Sequence, residues 1–260
     1  MTIEGFRVVP LSAPGQVEQA CPCMAEVPTP WSQALQVCRE WLAERVGTAV
    51  RGLHLVDPAG EVVGHVYYTP AEEALIPYHV EPGVAVVHCE WVQRRHQGQG
   101  YSRLLCDALA GHLKEEDWKG ILVAATDDEA CMHYRHFACR GLRLLEGPGP
   151  MRLMYRPLRQ ETIDVEAIDL RIEPRRKPPV EVLVFRGGFC PYEVSTALAA
   201  LEVAREFGSS VHVRQVPLTA ETVRAFGAAG GVWINGRRFP AGGAPEEAVR
   251  RAIGQALEGA

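Results

Sequence analysis

Apolar residues recur along this chain with two different periods, and the switches between those periods mark its elements. Gly5 to Leu11 begins with a short strand. From Trp31 to Val46 the spacing lengthens, and Leu35, Val37/Cys38, Trp41/Leu42 and Val46 fall on one helical stripe. Arg51 to Asp57 and Glu61 to Thr69 read as two strands around Asp57-Pro58-Ala59-Gly60, a hairpin turn. Gly83 to Val92 is a nearly continuous apolar strand, followed at once by a glycine-rich turn that opens into a helix from Tyr101. Gly120 to Thr126 is a short buried strand. Asp127 to Gly141 is expected as a helix, capped by Asp127 or Asp128 and stopped by Gly141. Leu142 to Gly147 and Met151 to Leu158 close the region as an antiparallel pair. The order is β-α-β-β-β-α-β-α-β-β.

Residues 159–179 break this rhythm. They are charged, hold Pro174, Pro178 and Pro179, and read as a linker in which Ile168 to Ile172 could add an edge strand. Beyond them Val180 to Phe185 is a strand, Cys190 to Gly208 a long helix, Val211 to Pro217 a strand and Thr219 to Phe226 a short helix. Gly231 to Phe239 is a hairpin turning at Asn235-Gly236, and a last helix starts with Pro245 just inside it. That order is β-α-β-α-β-β-α. The expected fold class is therefore α/β (α+β): a mixed-sheet domain over 1–158, the linker, and a smaller α/β domain over 180–260.

Composition adds limits. A formal net charge of −5 gives no basis for a nucleic-acid partner. No apolar stretch approaches a membrane span, and the first apolar run is too short for a signal peptide, so a cytoplasmic protein is expected. The eight cysteines are scattered in a chain too large to need disulfide staples, so reduced thiols are expected. Cys38, Cys106, Cys131 and Cys139 fall in segments that read as helix, where a buried small hydrophobe explains them.

The sharpest motif is Gln97-Gly98-Gln99-Gly100-Tyr101-Ser102, between a strand and a helix. Glycines let the backbone curl so that successive N–H groups converge on an anion at the helix start, where the macrodipole adds favourable charge. A pyrophosphate is the natural guest. A P-loop would need Gly-Lys-Ser/Thr, and a dinucleotide fingerprint a third glycine and a distant acid; neither is present. The turn resembles motif A of the GNAT acetyltransferase superfamily, Gln/Arg-x-x-Gly-x-Gly/Ala, with Gln97, Gly100 and Ser102 at its fixed positions. Phe137-x-x-x-Gly141-Leu142 resembles that superfamily's later Tyr-x-x-x-Gly-Phe. The resemblance implies acetyl-CoA as co-substrate, with the backbone of Trp91, Val92 and Gln93 on the pantetheine arm and Gln97 to Ser102 on the pyrophosphate. It also implies an amine acceptor, expected to be a small molecule.

Acyl transfer to an amine needs a base for the ammonium, an acid for the leaving thiolate and an oxyanion donor. Glu90, at the end of the central strand, is the candidate base, with His88 expected on the same face as a second candidate. Backbone N–H groups beyond Glu90 are the candidate oxyanion donors. Phe137 stands where a tyrosine acid is usual, and Tyr134, one helical turn earlier, is the candidate replacement. The loop from Ala74 to Gly83, with Tyr78 and His79, is expected to line the acceptor side.

Cys190 opens a helix as Cys190-Pro191-Tyr192-Glu193, where a helix start lowers a thiol pKa. With the strand order and the Asn-Gly hairpin, this half resembles the thioredoxin/glutaredoxin superfamily, although Glu193 replaces the second thiol and Gly230 stands near the usual cis-proline. The whole chain is similar to YoaP-type proteins, through Cys21-x-Cys23, Trp41-Leu42-x-x-Arg45, Tyr68-x-Pro70-x-Glu72, Cys89-x-Trp91-Val92 and Gly98-Gln99-Gly100-Tyr101. Two other readings stay open: thiol or soft-metal handling by Cys21, Cys23, Cys89 and Cys190, and a regulatory module that binds CoA without turnover.

Overall fold

The computed structural model describes residues 2–3, 5–24, 31–127, 132–145, 149, 151–240 and 246–260. Two compact units emerge: residues 1–27, 42–74 and 78–168 form one, and residues 28–41, 75–77 and 169–260 the other. The first helix, α1 (Ser32–Ala43), thus clusters with the second unit as far as Trp41, against the expected boundary at 158. Its buried stripe is Ala34, Cys38, Trp41 and Leu42, one position off the expected Leu35. Trp41 explains the assignment. Its indole packs edge-on against Phe189 at 4.9 Å and donates to the Leu218 carbonyl at 3.3 Å, and Gly187 leaves the room it occupies.

The first unit is built on an eight-stranded mixed sheet. Its strands in chain order are β1 (Thr2–Ile3), β2 (Phe6–Leu11), β3 (Arg51–Val56), β4 (Val62–Pro70), β6 (Val84–Val92), β7 (Gly120–Ala125), β8 (Arg143–Leu144) and β9 (Arg152–Pro157). They lie side by side as β1-β2-β3-β4-β6-β7-β9-β8. The β3–β4 hairpin forms where expected, because the Asp57 carboxylate accepts from the amides of Ala59 (3.0 Å) and Glu61 (2.9 Å). The one parallel pair in this sheet, β6 with β7, requires a crossover, and α2 (Tyr101–Glu115) supplies it. Leu104, Leu105, Leu109 and Leu113 of α2 are buried with Leu53, Leu55, Val66 and Val87 in one core. That apolar seam holds the start of α2 against the end of β6.

Three local expectations are corrected. Among the described residues the helix after β7 is α3 (Tyr134–Ala138), capped by His133, whose Nδ1 accepts from the Arg135 amide at 3.3 Å; Asp127 instead pairs with Arg152. Asp128, Cys131 and Pro245 lie outside the described residues. Cys139 caps α3 at its C-terminal end and is exposed rather than a buried hydrophobe. The linker does contribute a strand, but it is β10 (Val165–Ala167), which pairs with β5 (Tyr78–Val80) inside the Ala74–Gly83 loop. Tyr78 there is buried, and its hydroxyl accepts from the Met151 amide at 3.1 Å, so packing accounts for it.

The second unit carries β11 (Val180–Arg186), α4 (Pro191–Glu206), β12 (Val211–Pro217), α5 (Ala220–Phe226), β13 (Val232–Ile234), β14 (Arg237–Phe239) and α6 (Glu246–Glu258). Its sheet has the order β12-β11-β13-β14, with β12 parallel to β11 and β13 antiparallel to both neighbours. Val180, Val182, Val184, Ala200, Val203, Val249 and Ile253 form its core. The hairpin turns at Asn235 (φ 46°) and Gly236 (φ 80°), as the Asn-Gly pair dictates. No helix among the described residues is long and apolar enough to cross a membrane.

Candidate active site

Strand β6 pairs with β7 only over Val84–Val87, opposite Gly120–Val123, and then continues to Val92 paired with β4. At the same point its register against β4 shifts, since Tyr67 faces Cys89 whereas Tyr68 faces Val87. His88 is the extra residue of this β-bulge. The bulge resets the alternation of side chains, which a sequence reading of strict period two misses. His88 therefore does not share a face with Glu90: its Nε2 lies 3.0 Å from the Thr69 hydroxyl, and burial pulls its pKa down to about 3. Glu90 turns the other way, toward α2.

Where β6 leaves β7, a cleft of about 520 Å³ opens. Its wall includes Trp91, Val92, Gln97, Gly98, Gly100, Tyr101 and Ser102, seven of the nine residues expected to bind cofactor. Gln93 and Gln99 are not on that wall. Gln93 is buried, with its amide on the Val63 carbonyl at 2.8 Å, and Gln99 reaches back to the Arg95 carbonyl at 3.2 Å. Both glutamines of the motif thus brace the turn, because Gln97 Nε2 donates to the Val92 carbonyl at 2.8 Å.

Gly98 (φ 77°) and Gly100 (φ 87°) adopt the left-handed conformation, and open space lies where a Cβ would sit on either. Gly100 is the N-cap of α2 and provides no side-chain acceptor. A helix start carries amide donors beyond those its own ladder uses, and its dipole favours an anion there. Arg94 and Arg140 stand on the same wall as Glu90, so among the described residues its two guanidinium groups favour an anion.

Glu90 is held tightly. Its Oε1 accepts both the Ser102 hydroxyl and Arg140 Nη1, each at 2.5 Å. Burial pushes its carboxyl above the usual carboxylate range, and Arg140 and Ser102 act against that push. Arg140, which sequence reasoning missed, sits just before Gly141 in the Phe137-x-x-x-Gly141 motif. Its place in that motif was the available signal. Tyr134 is not part of the cleft wall. Its hydroxyl accepts from Arg135 Nε at 3.2 Å, and the Arg152 guanidinium lies 4.7 Å from its ring centre. His136 and Phe137 are the residues of α3 that line the cleft.

On the opposite face of the sheet Cys21, Cys23 and Cys89 lie near Tyr67. Cys21, strained at φ 58°, donates its amide to the Tyr67 hydroxyl at 3.1 Å, and that hydroxyl lies 3.2 Å from His54 Nε2. His65 stacks on Tyr67 and places Nε2 at 3.2 Å from Cys89 Sγ. Burial lowers His54 to about 4 and His65 to about 3, and raises Tyr67. Among the described residues, no group of three or more His, Cys, Asp or Glu side chains is arranged to hold a metal ion.

Comparison with known families adds an independent line to the glycine turn and the cleft. Residues 19–137 match the acetyltransferase (GNAT) family. The matched stretch takes in β6, the bulge, the glycine turn, α2 and most of α3. Solved structures similar to the chain include a GNAT acetyltransferase of Desulfovibrio desulfuricans (10% identity, 59% of this chain and 99% of that one, TM-score 0.47). Others are a GNAT N-acetyltransferase of Escherichia coli solved with CoA (17%, 61% and 85%, TM-score 0.42) and a GCN5-related N-acetyltransferase of Kribbella flavida (20%, 60% and 99%, TM-score 0.44). No curated protein matches the chain.

Proposed function

We propose that the chain is an N-acyltransferase that moves an acetyl group from acetyl-CoA to the amine of a small acceptor. One observation carries this reading: the left-handed Gly98/Gly100 turn at the start of α2 lines a cleft that opens where β6 parts from β7. The turn fits a pyrophosphate. The freed edge of β6 at Trp91 and Val92 fits an extended arm that adds to it by backbone hydrogen bonds. The acyl carbonyl would then lie near the bulge, within reach of backbone N–H donors.

Glu90 takes the role of base in this proposal, because a buried carboxyl with a raised pKa is better matched to abstracting a proton near neutrality. The acid is not assigned to Tyr134, which lies off the cleft wall; His136 lines that wall. The second unit supports a thioredoxin-like, YoaP-like reading through its sheet order, its antiparallel β13 and Cys190 at the N-cap of α4. Glu193 in the first turn of α4, paired with Arg238 at 3.2 Å, occupies the place of a second thiol, so no dithiol chemistry is proposed there. The reading is tested by incubating the protein with acetyl-CoA and a panel of small amines and following thiol release together with acceptor mass. Acceptor-dependent thiol release with a gain of one acetyl group supports it. Thiol release that no amine increases rejects it.

A further inference from the structure

Arg140 reaches the cleft from the turn after α3 and gives Nη1 to Glu90 Oε1, the same oxygen that accepts the Ser102 hydroxyl. A second tie, from Arg103 Nη2 to the Cys139 carbonyl at 3.0 Å, fixes that turn against the first turn of α2. Both partners of the ion pair are largely withdrawn from water, with side chains 15% and 7% exposed, and both line the cleft. A guanidinium therefore stands at the mouth of an anion-binding turn while a carboxylate occupies it. That carboxylate is also the group best placed to act as base, and an ion-paired carboxylate is a poor one. A polyanion arriving at Gly98–Ser102 would attract Arg140 and repel Glu90.

We propose that Arg140 exchanges partners when acyl-CoA binds, leaving Glu90 for the pyrophosphate, so that Glu90 becomes available as base only in the loaded enzyme. The inference rests on the acyl-CoA reading above. A pyrophosphate offers a guanidinium more charge and a two-pronged acceptor, which a single carboxylate oxygen shared with Ser102 does not. Ser102 keeps its bond to Glu90 and holds the carboxylate in place after Arg140 departs. Acyl-CoA must then bind before the amine can be deprotonated. Arg140 acts here as a positioning residue, and Glu90 competes with the cofactor for it.

Competition makes an unusual prediction: removing the charge of Glu90 strengthens cofactor binding. The full chain and the variants Glu90→Gln, Arg140→Gln and Arg140→Lys are titrated calorimetrically with CoA, and with pantetheine, which lacks the pyrophosphate, by NMR chemical shift. The expected result is CoA binding about ten-fold tighter in Glu90→Gln and about ten-fold weaker in Arg140→Gln, the size of one charge-assisted hydrogen bond. Arg140→Lys, which keeps the charge, retains more CoA affinity than Arg140→Gln, and pantetheine affinity stays level throughout. Thermal unfolding confirms that each variant is folded. If Glu90→Gln binds CoA no more tightly than the parent, or Arg140→Gln weakens CoA and pantetheine alike, the exchange does not occur. A parent protein that fails to bind CoA at all would instead overturn the acyl-CoA reading.

Discussion

Adding the same methyl group at two glycines of one helix should have opposite effects on stability. Gly100, the N-cap of α2, has φ 87°, and Gly111 lies within the regular part of the same helix; open space surrounds the Cβ position at both. Sterics with neighbours therefore cancel, and only backbone conformation remains. At Gly111 an alanine reduces the freedom of the unfolded chain and should stabilise by about 1 kcal/mol. At Gly100 a Cβ in the left-handed region costs about 1–2 kcal/mol. The two variants should differ by about 2–3 kcal/mol, which for a domain of this size separates their thermal midpoints by roughly 4–12 °C. Scanning calorimetry on Gly100→Ala and Gly111→Ala measures this directly. CoA titration of the same proteins adds a second axis: Gly100→Ala loses affinity because its methyl enters the open turn, and Gly111→Ala keeps it. Equal shifts in midpoint for the two variants would refute the left-handed turn on which the site depends.

Two further outcomes follow from the buried polar groups on the other face of the sheet. His54 and His65 are held neutral by burial, with pKa values lowered to about 4 and about 3, whereas in the unfolded chain they titrate near 6.5. Between those limits the unfolded state binds more protons, so stability is complete above about pH 6.5 and falls as pH drops; by pH 5 each histidine removes about 2 kcal/mol. Urea unfolding at pH 7 and pH 5 should show this loss, and unchanged stability would mean that these imidazoles are not buried neutral. Tyr67→Phe removes a hydroxyl that serves Cys21 N–H and His54 Nε2, so it should destabilise by about 1–3 kcal/mol while leaving CoA affinity intact. A neutral effect in the same urea assay would contradict that network.

Much of the fold was legible because local and tertiary signals agree in it. The β3–β4 hairpin, the Asn235-Gly236 turn and the glycine turn before α2 are fixed by residues whose own chemistry selects the conformation. The strand at Gly83–Val92 reads correctly because it is central and apolar on both faces at its start. What stayed hidden depends on pairings distant in sequence. The β-bulge at His88 exists only against Tyr67 and Tyr68, so the face of His88 was misread. The short α3 begins at Tyr134 because His133 caps it, where two earlier aspartates looked better. Arg140 entered the site through an ion pair with a residue fifty positions away. The helical stripe of α1 showed which side is apolar but not which unit would claim it; Trp41 decided that through Phe189 and Leu218.

The central claim is that the turn from Gln97 to Ser102 receives the pyrophosphate of acetyl-CoA. Isothermal titration of the reduced protein with acetyl-CoA, in parallel with Gly100→Trp, tests it most directly. A folded Gly100→Trp variant that loses a saturable binding seen in the parent is the predicted result, because the indole would fill the open space of the turn. A parent that shows no binding, or a folded variant that binds as well as the parent, would contradict the account.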